Sequence, residues 1–144
     1  MSTAKLDLSL RLRHDSADIA PIIEHLGIKA GVHWNKGDTR RSPAGELLDG
    51  RRDFSYCSFP LIERTSEDLD EAITACLEKL AGAEHAIQGF VKSGGTASLA
   101  IGWFCLGDSG GRISCPLIAE IARISLTIDF YLYFTPTEVA SPIT

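Results

Sequence analysis

A chain of 144 residues, of which 44% are hydrophobic, can form one ordinary domain with its own core but has no room for a second. Its 19 acidic residues outnumber 14 basic ones, and the net charge of -5 excludes a general nucleic-acid binder, because attraction to phosphates dominates such binding. No signal-peptide pattern and no apolar run of about 18 residues is present, so we expect a cytoplasmic protein with no membrane partner. We place the domain at residues 1–135 and expect residues 136–144, with two prolines, to be a loosely ordered tail.

The first strand is predicted by strict alternation. Apolar and polar residues alternate through Leu6, Leu8, Leu10 and Leu12, so one face of this strand belongs to the core. A short helix should follow, because isoleucines and a leucine recur at helical spacing over residues 19–26 and Gly27 can end it. Pro21 is tolerated only in a first turn, so the helix should begin near residue 17 or 18.

The middle of the chain reads as a long connection, a strand and a helix. Residues 31–50 are rich in glycine, proline and arginine, with one short strand around residues 32–34. A strand is predicted at residues 53–59, with Phe54 and Tyr56 on one face, and Pro60 either ends this strand or leaves it at an edge of the sheet. A helix should then run from a capping box at Thr65 to Gly82.

The last third predicts a hairpin, a short helix and a closing strand. Residues 85–92 and 96–105 read as two strands joined by Ser93-Gly94-Gly95, and Pro116 favours a helix start. Residues 126–134 mirror the first strand, so the apolar side of this strand should also belong to the core: Leu126, Ile128, Phe130, Leu132 and Phe134. The prediction is an α+β fold with a five-stranded, mainly antiparallel sheet, three helices on one face, and ferredoxin-like order in the last six elements.

Four cysteines, Cys57, Cys76, Cys105 and Cys115, are widely and unevenly spaced, without a C-x-x-C pair. We expect reduced thiols that mostly pack as small buried apolar groups. Cys115 differs, because it precedes a proline that favours a helix start, where a thiol can be activated.

The stretch from residue 33 to residue 41 carries the first candidate binding residues: His33, Trp34, Lys36 and Asp38. An aromatic platform, an ammonium donor and a carboxylate close together could hold an anion or a peptide. The alternative is structural: Trp34 covers the end of the core and Asp38 bonds nearby backbone amides in a turn. Residues 36–52 hold five basic and three acidic side chains, a net +2 that suits an acidic protein partner.

The polar sheet face carries the second candidate group, Arg11, Arg13, Asp129, Tyr131 and Tyr133. These residues become neighbours if the first and last strands lie side by side. Arginine and tyrosine are enriched at the energetic centres of interfaces, so this face could bind a partner. The alternative is a solvated sheet face whose cross-strand pairs only stabilise the sheet.

Three segments together resemble a bacterial family of unknown function, DUF4279. They are Leu26-Gly27-Ile28, the stretch from Trp34 to Asp38, and the closing strand that begins at Leu126 and includes Asp129-Phe130-Tyr131. The resemblance extends over nearly everything from Leu6 to Phe134 and implies a single small domain. Because the family has no assigned activity, the resemblance implies no reaction.

The function we expect is that of a non-enzymatic interaction domain. Its more specific form is an immunity-type protein that neutralises a bacterial toxin. The four histidines lie on separate elements without metal-binding spacing, so we expect no metal, no cofactor and no catalytic residues. One alternative is a small-molecule-binding protein or weak enzyme built around residues 31–50 and Cys115. Another is an adaptor that forms only homodimers through an edge strand.

Overall fold

The computed structural model describes residues 4–105 and 107–134. Over these residues the chain forms four helices and seven strands. In chain order they are β1 (Lys5–His14), α1 (Ala20–Leu26), β2 (His33–Trp34), β3 (Thr39–Arg41), β4 (Leu47–Arg51), β5 (Ser55–Thr65), α2 (Leu69–Lys79), α3 (Glu84–Lys92), β6 (Thr96–Cys105), α4 (Cys115–Arg123) and β7 (Leu126–Phe134). The predicted tail at 136–144 lies outside the described residues.

Five strands form one mixed sheet in the order β2-β5-β1-β6-β7, and β3 and β4 form a separate two-stranded sheet. The pairings of β1 with β5, β1 with β6 and β2 with β5 are antiparallel, while β6 and β7 are parallel. The predicted α+β class and a five-stranded, mainly antiparallel sheet are therefore confirmed, although β2 is one of its five strands and residues 85–92 are not. The first strand lies at the centre of the sheet.

The core lies between the sheet and its helices. Leu6, Leu8, Leu10 and Leu12 of β1 are all buried, and residues from α1, α2, α3 and α4 join the same apolar cluster. Burial of each leucine contributes roughly 1.5–3 kcal/mol as an upper estimate. The helices thus cover the leucine side of the sheet, and we call the opposite side the open face.

The predicted strand at residues 85–92 is wrong, because these residues form α3. Leu80, Ala83, Ile87 and Phe90 are buried at spacings of three and four residues, which matches a helix face. Gly95 then packs so closely that a Cβ atom there would lie 2.5 Å from the Phe90 ring. The predicted count of three helices becomes four, and the ferredoxin-like order is broken at its third element.

The helix before it begins later than predicted. Thr65 is still part of β5, and its hydroxyl accepts a hydrogen bond from the Glu67 amide at 3.1 Å. Asp68 is the N-cap residue of α2 and its side chain makes no cap hydrogen bond, so the predicted capping box is wrong. By contrast, α1 has Pro21 in its first turn and ends at Gly27 with φ 66°, as the sequence predicts, although it begins at Ala20 and not near residue 17 or 18.

Pro60 does not end its strand. The Ser58 amide donates to Val32 and the Ser58 carbonyl accepts from Gly31, so Ser58 faces the outer side of β5. Pro60 lies two residues further along β5, so its backbone nitrogen points to the same outer side, away from β1. Within the described chain no strand pairs with β5 on that side at Pro60, so the missing N–H leaves no strand pairing incomplete. The strand therefore continues to Thr65.

Residues 31–50 contain more structure than the predicted long connection. The short strand predicted near residues 32–34 is present as β2, which pairs with β5. Beyond it, β3 and β4 form a hairpin closed by Ser42-Pro43-Ala44-Gly45, in which the Gly45 amide donates to the Ser42 carbonyl at 2.8 Å. This hairpin is exposed along β4.

The apolar side of β7 is buried only at its start. Leu126 is buried, whereas Phe130 is 47% exposed, Leu132 58% and Phe134 67%. The nine residues of α4 span about 14 Å, whereas the nine residues of β7 span about 30 Å, so the helix covers less than half of the strand. The prediction that all five alternating residues belong to the core is therefore wrong.

Candidate functional site

The open face is shaped by the small residues of β6. Ser98, Ala100 and Gly102 lie on this side of the sheet, in register with Arg11, Ser9 and Asp7 of β1. Because these side chains are short, a long side chain from β1 can cross over β6 and reach β7. The sheet thereby brings β1 and β7 into contact although they are not neighbours.

Arg11 and Tyr131 meet in this way. The guanidinium carbon of Arg11 lies 5.0 Å from the centroid of the Tyr131 ring. The sequence predicts this contact only if the first and last strands lie side by side. That condition is not met, since β6 lies between them. The contact itself depends on the short side chains of β6.

The second group on this face is the Trp34 cluster, made of Arg13, Trp34, Arg52, Phe54 and Tyr56. The Trp34 ring stacks on Tyr56 at 4.8 Å and lies beside Phe54 at 5.9 Å. Arg13 lies 3.8 Å above the Phe54 ring, and Arg52 lies 3.8 Å above the Trp34 ring. The indole N–H of Trp34 donates to the Phe54 carbonyl at 2.9 Å, which fixes the tryptophan in place.

The third group, the Phe104 cluster, lies toward the opposite corner and contains Arg64, Phe104 and Tyr133. Phe104 and Tyr133 stack at 4.8 Å, and Arg64 lies 3.7 Å from the Phe104 centroid. Asp7 holds the same arginine through an ion pair of 3.7 Å. A stripe of arginines and aromatic rings therefore crosses the open face from the β2 edge to the β7 edge.

The arginines of this stripe have unused hydrogen-bond donors. Within the described residues, none of the side chains of Arg11, Arg13, Arg52 and Arg64 donates a hydrogen bond, and the Nε atoms of Arg11 and Arg52 are buried without an acceptor. By contrast, Arg40, Arg41 and Arg51 of the hairpin each donate to a backbone carbonyl at 3.0 Å. A guanidinium has five N–H donors, so the stripe offers forked donors to carboxylates.

Tyr56 links the Trp34 cluster to the contact between Arg11 and Tyr131. Burial raises the pKa of Tyr56 above its usual value, the positive charge of Arg11 opposes this shift, and Tyr131 adds to it. Tyr56 is therefore a neutral hydrogen-bond donor at physiological pH.

The stretch from His33 to Asp38 is divided by the fold. Trp34 faces the open side with Tyr56, whereas His33 pairs with buried Cys57 and so faces the other side. Asp38 accepts a hydrogen bond from the Asn35 amide at 2.8 Å, which makes it a turn residue. The backbone amide of Lys36 donates to Ser55, and its side chain is exposed. The structural alternative is thus confirmed for Asp38. His33, Trp34 and Asp38 nevertheless line one cleft beside α1, whereas Lys36 does not.

Asp129 and Tyr133 complete the predicted set. Tyr133 belongs to the Phe104 cluster, and the register places Asp129 beside Ala100 on the open face. The Asp129 carboxylate makes no hydrogen bond or ion pair within residues 4–105 and 107–134. Arg13 contacts Phe54 and not the β7 tyrosines.

The two halves of the proposed small-molecule site lie at opposite edges of the sheet. Residues 31–50 include β2 at one edge, whereas Cys115 begins α4 beside β7 at the other edge. The two edge strands are four strand spacings apart, or roughly 19 Å. A cleft of about 480 Å³ lies beside residues 33–38, within the range of small-molecule pockets, and Cys115 does not line it. The cleft on the open face beside Arg11 and Tyr131 measures about 180 Å³. The part of the chain that is described has no group of three metal-ligating side chains.

Five members of the stripe were not among the predicted binding residues: Arg52, Phe54, Tyr56, Arg64 and Phe104. The sequence did place Phe54 and Tyr56 together on one face of their strand. Phe104 has a local signal, because it continues the alternation of Ser98, Ala100 and Gly102 on β6. Arg52 and Arg64 have no such signal. Each lies at or next to the end of a strand and contacts a ring that belongs to a different strand.

One family model matches residues 3–135 and carries the description Domain of unknown function (DUF4279). Searches of curated proteins and of solved structures gave no match. Over the described residues, no helix has the length and apolar character needed to cross a membrane.

Proposed function

The chain belongs to the DUF4279 family, which has no assigned activity, and we propose that it is a cytoplasmic, non-enzymatic domain that binds the acidic surface of a protein partner. The binding surface is the open face. In the most specific form of this proposal, the partner is a bacterial toxin that the protein neutralises.

One observation carries the proposal: the four arginines of the stripe lie over aromatic rings, with guanidinium carbons 3.7–5.0 Å from the ring centroids, and have unused donors. Stacking fixes each planar guanidinium before a partner arrives, so less side-chain entropy is lost on binding. Arginine, tyrosine and tryptophan are also the residues on which interface energy concentrates. Rigid forks of this kind suit carboxylates on a complementary protein surface.

The same geometry favours a protein over a nucleic acid. Single-stranded nucleic acids stack their bases on free aromatic faces. Here arginines lie over the rings of Trp34, Phe54 and Phe104, so one face of each ring is already occupied. The net charge of -5 further opposes attraction to phosphates.

The proposal is tested by capturing the partner with tagged full-length protein from a native bacterial lysate and then measuring its affinity by calorimetry. The variant Arg13→Gln with Arg52→Gln removes two stacked guanidinium groups of the Trp34 cluster. The matched control, Lys92→Gln with Arg112→Gln, removes the same charge from exposed residues outside the open face. We expect the first pair to weaken binding by at least about 10-fold and the control to leave it within about 2-fold.

A third variant separates stacking from charge. Arg13→Lys with Arg52→Lys keeps both positive charges but loses the planar forks, so we expect intermediate affinity. Full affinity in the lysine variant would show that charge alone acts. Equal affinity in the glutamine pair and its control would refute the open face as the binding surface.

A further inference from the structure

The two edges of the five-stranded sheet are protected very differently. At one edge, β2 has only two residues, Pro60 offers no N–H, and the Lys79 ammonium donates to the Leu61 carbonyl at 2.8 Å. Short edge strands, proline and lysine are devices that prevent an edge from pairing with another chain. The edge next to β5 is therefore closed to further pairing.

The other edge has none of these devices. β7 is the end strand within the described residues, is nine residues long, and pairs with β6 without a bulge. It contains neither proline nor lysine, and Asp129 is its only charged residue. Phe130, Leu132 and Phe134 are exposed on one side, and Tyr131 and Tyr133 on the other.

We propose that β7 pairs antiparallel with β7 of a second copy of this chain, around a two-fold axis at Phe130. In this register all nine residues of each strand are paired. Asp129 lies opposite Tyr131 of the second copy, and Ile128 lies opposite Leu132 of the second copy. The dimer therefore has a continuous sheet of ten strands.

Charge complementarity identifies a second copy as the occupant. Asp129 has no hydrogen bond or ion pair in the described part of the chain, and Arg11, over the Tyr131 ring, has an Nε without an acceptor. Opposite residues on paired strands have Cβ atoms about 5 Å apart, so each Asp129 comes beside the Arg11–Tyr131 contact of the other copy. The two-fold axis makes this pairing twice.

Apolar matching supports the same register. On the helix side, the pairs across the axis are Phe130 with Phe130 and Ile128 with Leu132. Phe130 and Leu132 are exposed because α4 is too short to cover them, and Ile128 is only partly buried. Because one strand forms the centre of the interface, we expect a dissociation constant on the order of 10 µM.

The test is sedimentation equilibrium of the full chain at concentrations from about 1 to about 200 µM. We expect a reversible monomer–dimer equilibrium for the native sequence. Leu132→Lys places a charge in the middle of the proposed interface and should weaken the dimer by more than about 10-fold. Leu47→Lys makes the same change at the exposed hairpin, where the leucine is 65% exposed, and should leave the dimer unchanged.

Asp129→Lys tests the register. It brings a lysine beside Arg11 of the second copy, so we expect a loss of affinity at least as large as that of Leu132→Lys. Circular dichroism and thermal melts confirm that each variant is folded. A monomer at all concentrations, a dimer unaffected by Leu132→Lys or by Asp129→Lys, or pairing only with a different protein would overturn the proposal.

Discussion

Alkaline pH should destabilise this protein through two of its core thiols. Cys57 and Cys76 are fully buried, and burial raises the pKa of Cys57 to about 11 and that of Cys76 to about 12, from 9.0. Between pH 9 and pH 11 the unfolded chain ionises both thiols, while the folded chain keeps them largely protonated. The folded pKa is the higher one, so the contribution to stability is complete below pH 9 and is lost as the pH rises toward 11 and 12.

The magnitude follows from the size of the shifts. One pKa unit corresponds to about 1.4 kcal/mol, so at pH 10.5 each thiol has lowered the free energy of unfolding by about 2 kcal/mol. The two together remove about 4 kcal/mol, a large part of the 5–15 kcal/mol that is typical of a domain. Urea titrations at pH 8, 9, 10 and 10.5 measure this loss directly.

Two cysteine variants isolate the effect from other groups that titrate in the same range. Cys76→Ala removes one buried thiol, so its loss of stability between pH 8 and pH 10.5 should be about 2 kcal/mol smaller than that of the native sequence. Cys115→Ala removes an exposed thiol and should give the native pH dependence. Parallel pH curves for Cys76→Ala and the native sequence would refute the argument.

Three further predictions concern the same core. In the native state, iodoacetamide should label only Cys115 of the four cysteines, and mass spectrometry should find the other three labelled only after unfolding in urea. Gly95→Ala should destabilise the protein by about 2–3 kcal/mol in urea titrations, because its Cβ would clash with Phe90, whereas Gly110→Ala, which meets open space, should change stability by less than about 0.5 kcal/mol. His14→Ala should cost about 2 kcal/mol by calorimetry, because the buried His14 ring accepts the Ser16 and Ala17 amides at 3.1 and 2.9 Å; a neutral result would contradict that role.

Periodicity located most elements of this fold correctly and failed where local signals compete. The residues of β6 and β7 match their predicted ranges, because strict alternation has only one interpretation. Residues 85–92 are a short apolar run beside two glycines, which fits a hairpin as well as a helix. The spacing of the apolar residues Ala83, Ile87 and Phe90 favours the helix over the hairpin, and this spacing is visible in the sequence. The burial of all three confirms it.

The β3–β4 hairpin was missed although its turn has a recognisable sequence. Proline at the second and glycine at the fourth position of Ser42-Pro43-Ala44-Gly45 favour a tight turn. The flanking strands lack an apolar face, since β4 is exposed throughout, and periodicity cannot detect a strand that buries nothing. Arg40 and Arg41 donate to carbonyls of their own hairpin, so the basic charge of residues 36–52 largely serves to hold the hairpin together.

The candidate face could be predicted only in part, because its contacts cross strands that are distant in sequence. Alternation along β1 and β7 places Arg11 and Tyr131 on the polar side of their strands, and both were identified. Which ring each arginine covers depends on strand order and on the short side chains of β6, and neither can be derived from one strand alone.

The aromatic rings of this face act as supports for the arginines more than as contact surfaces. A free arginine on a flat sheet samples many rotamers, and ordering it costs free energy when a partner binds. Each ring restricts that motion while leaving the N–H edge of the guanidinium open, because the stacking uses only its flat side. Removing a ring should therefore weaken binding even where the partner never touches it. Phe54→Leu, which keeps an apolar side chain but no ring under Arg13, should reduce affinity for the captured partner by about 3-fold to 10-fold. Its effect should vanish in the Arg13→Gln background, and equal losses in both backgrounds would show that Phe54 contacts the partner itself.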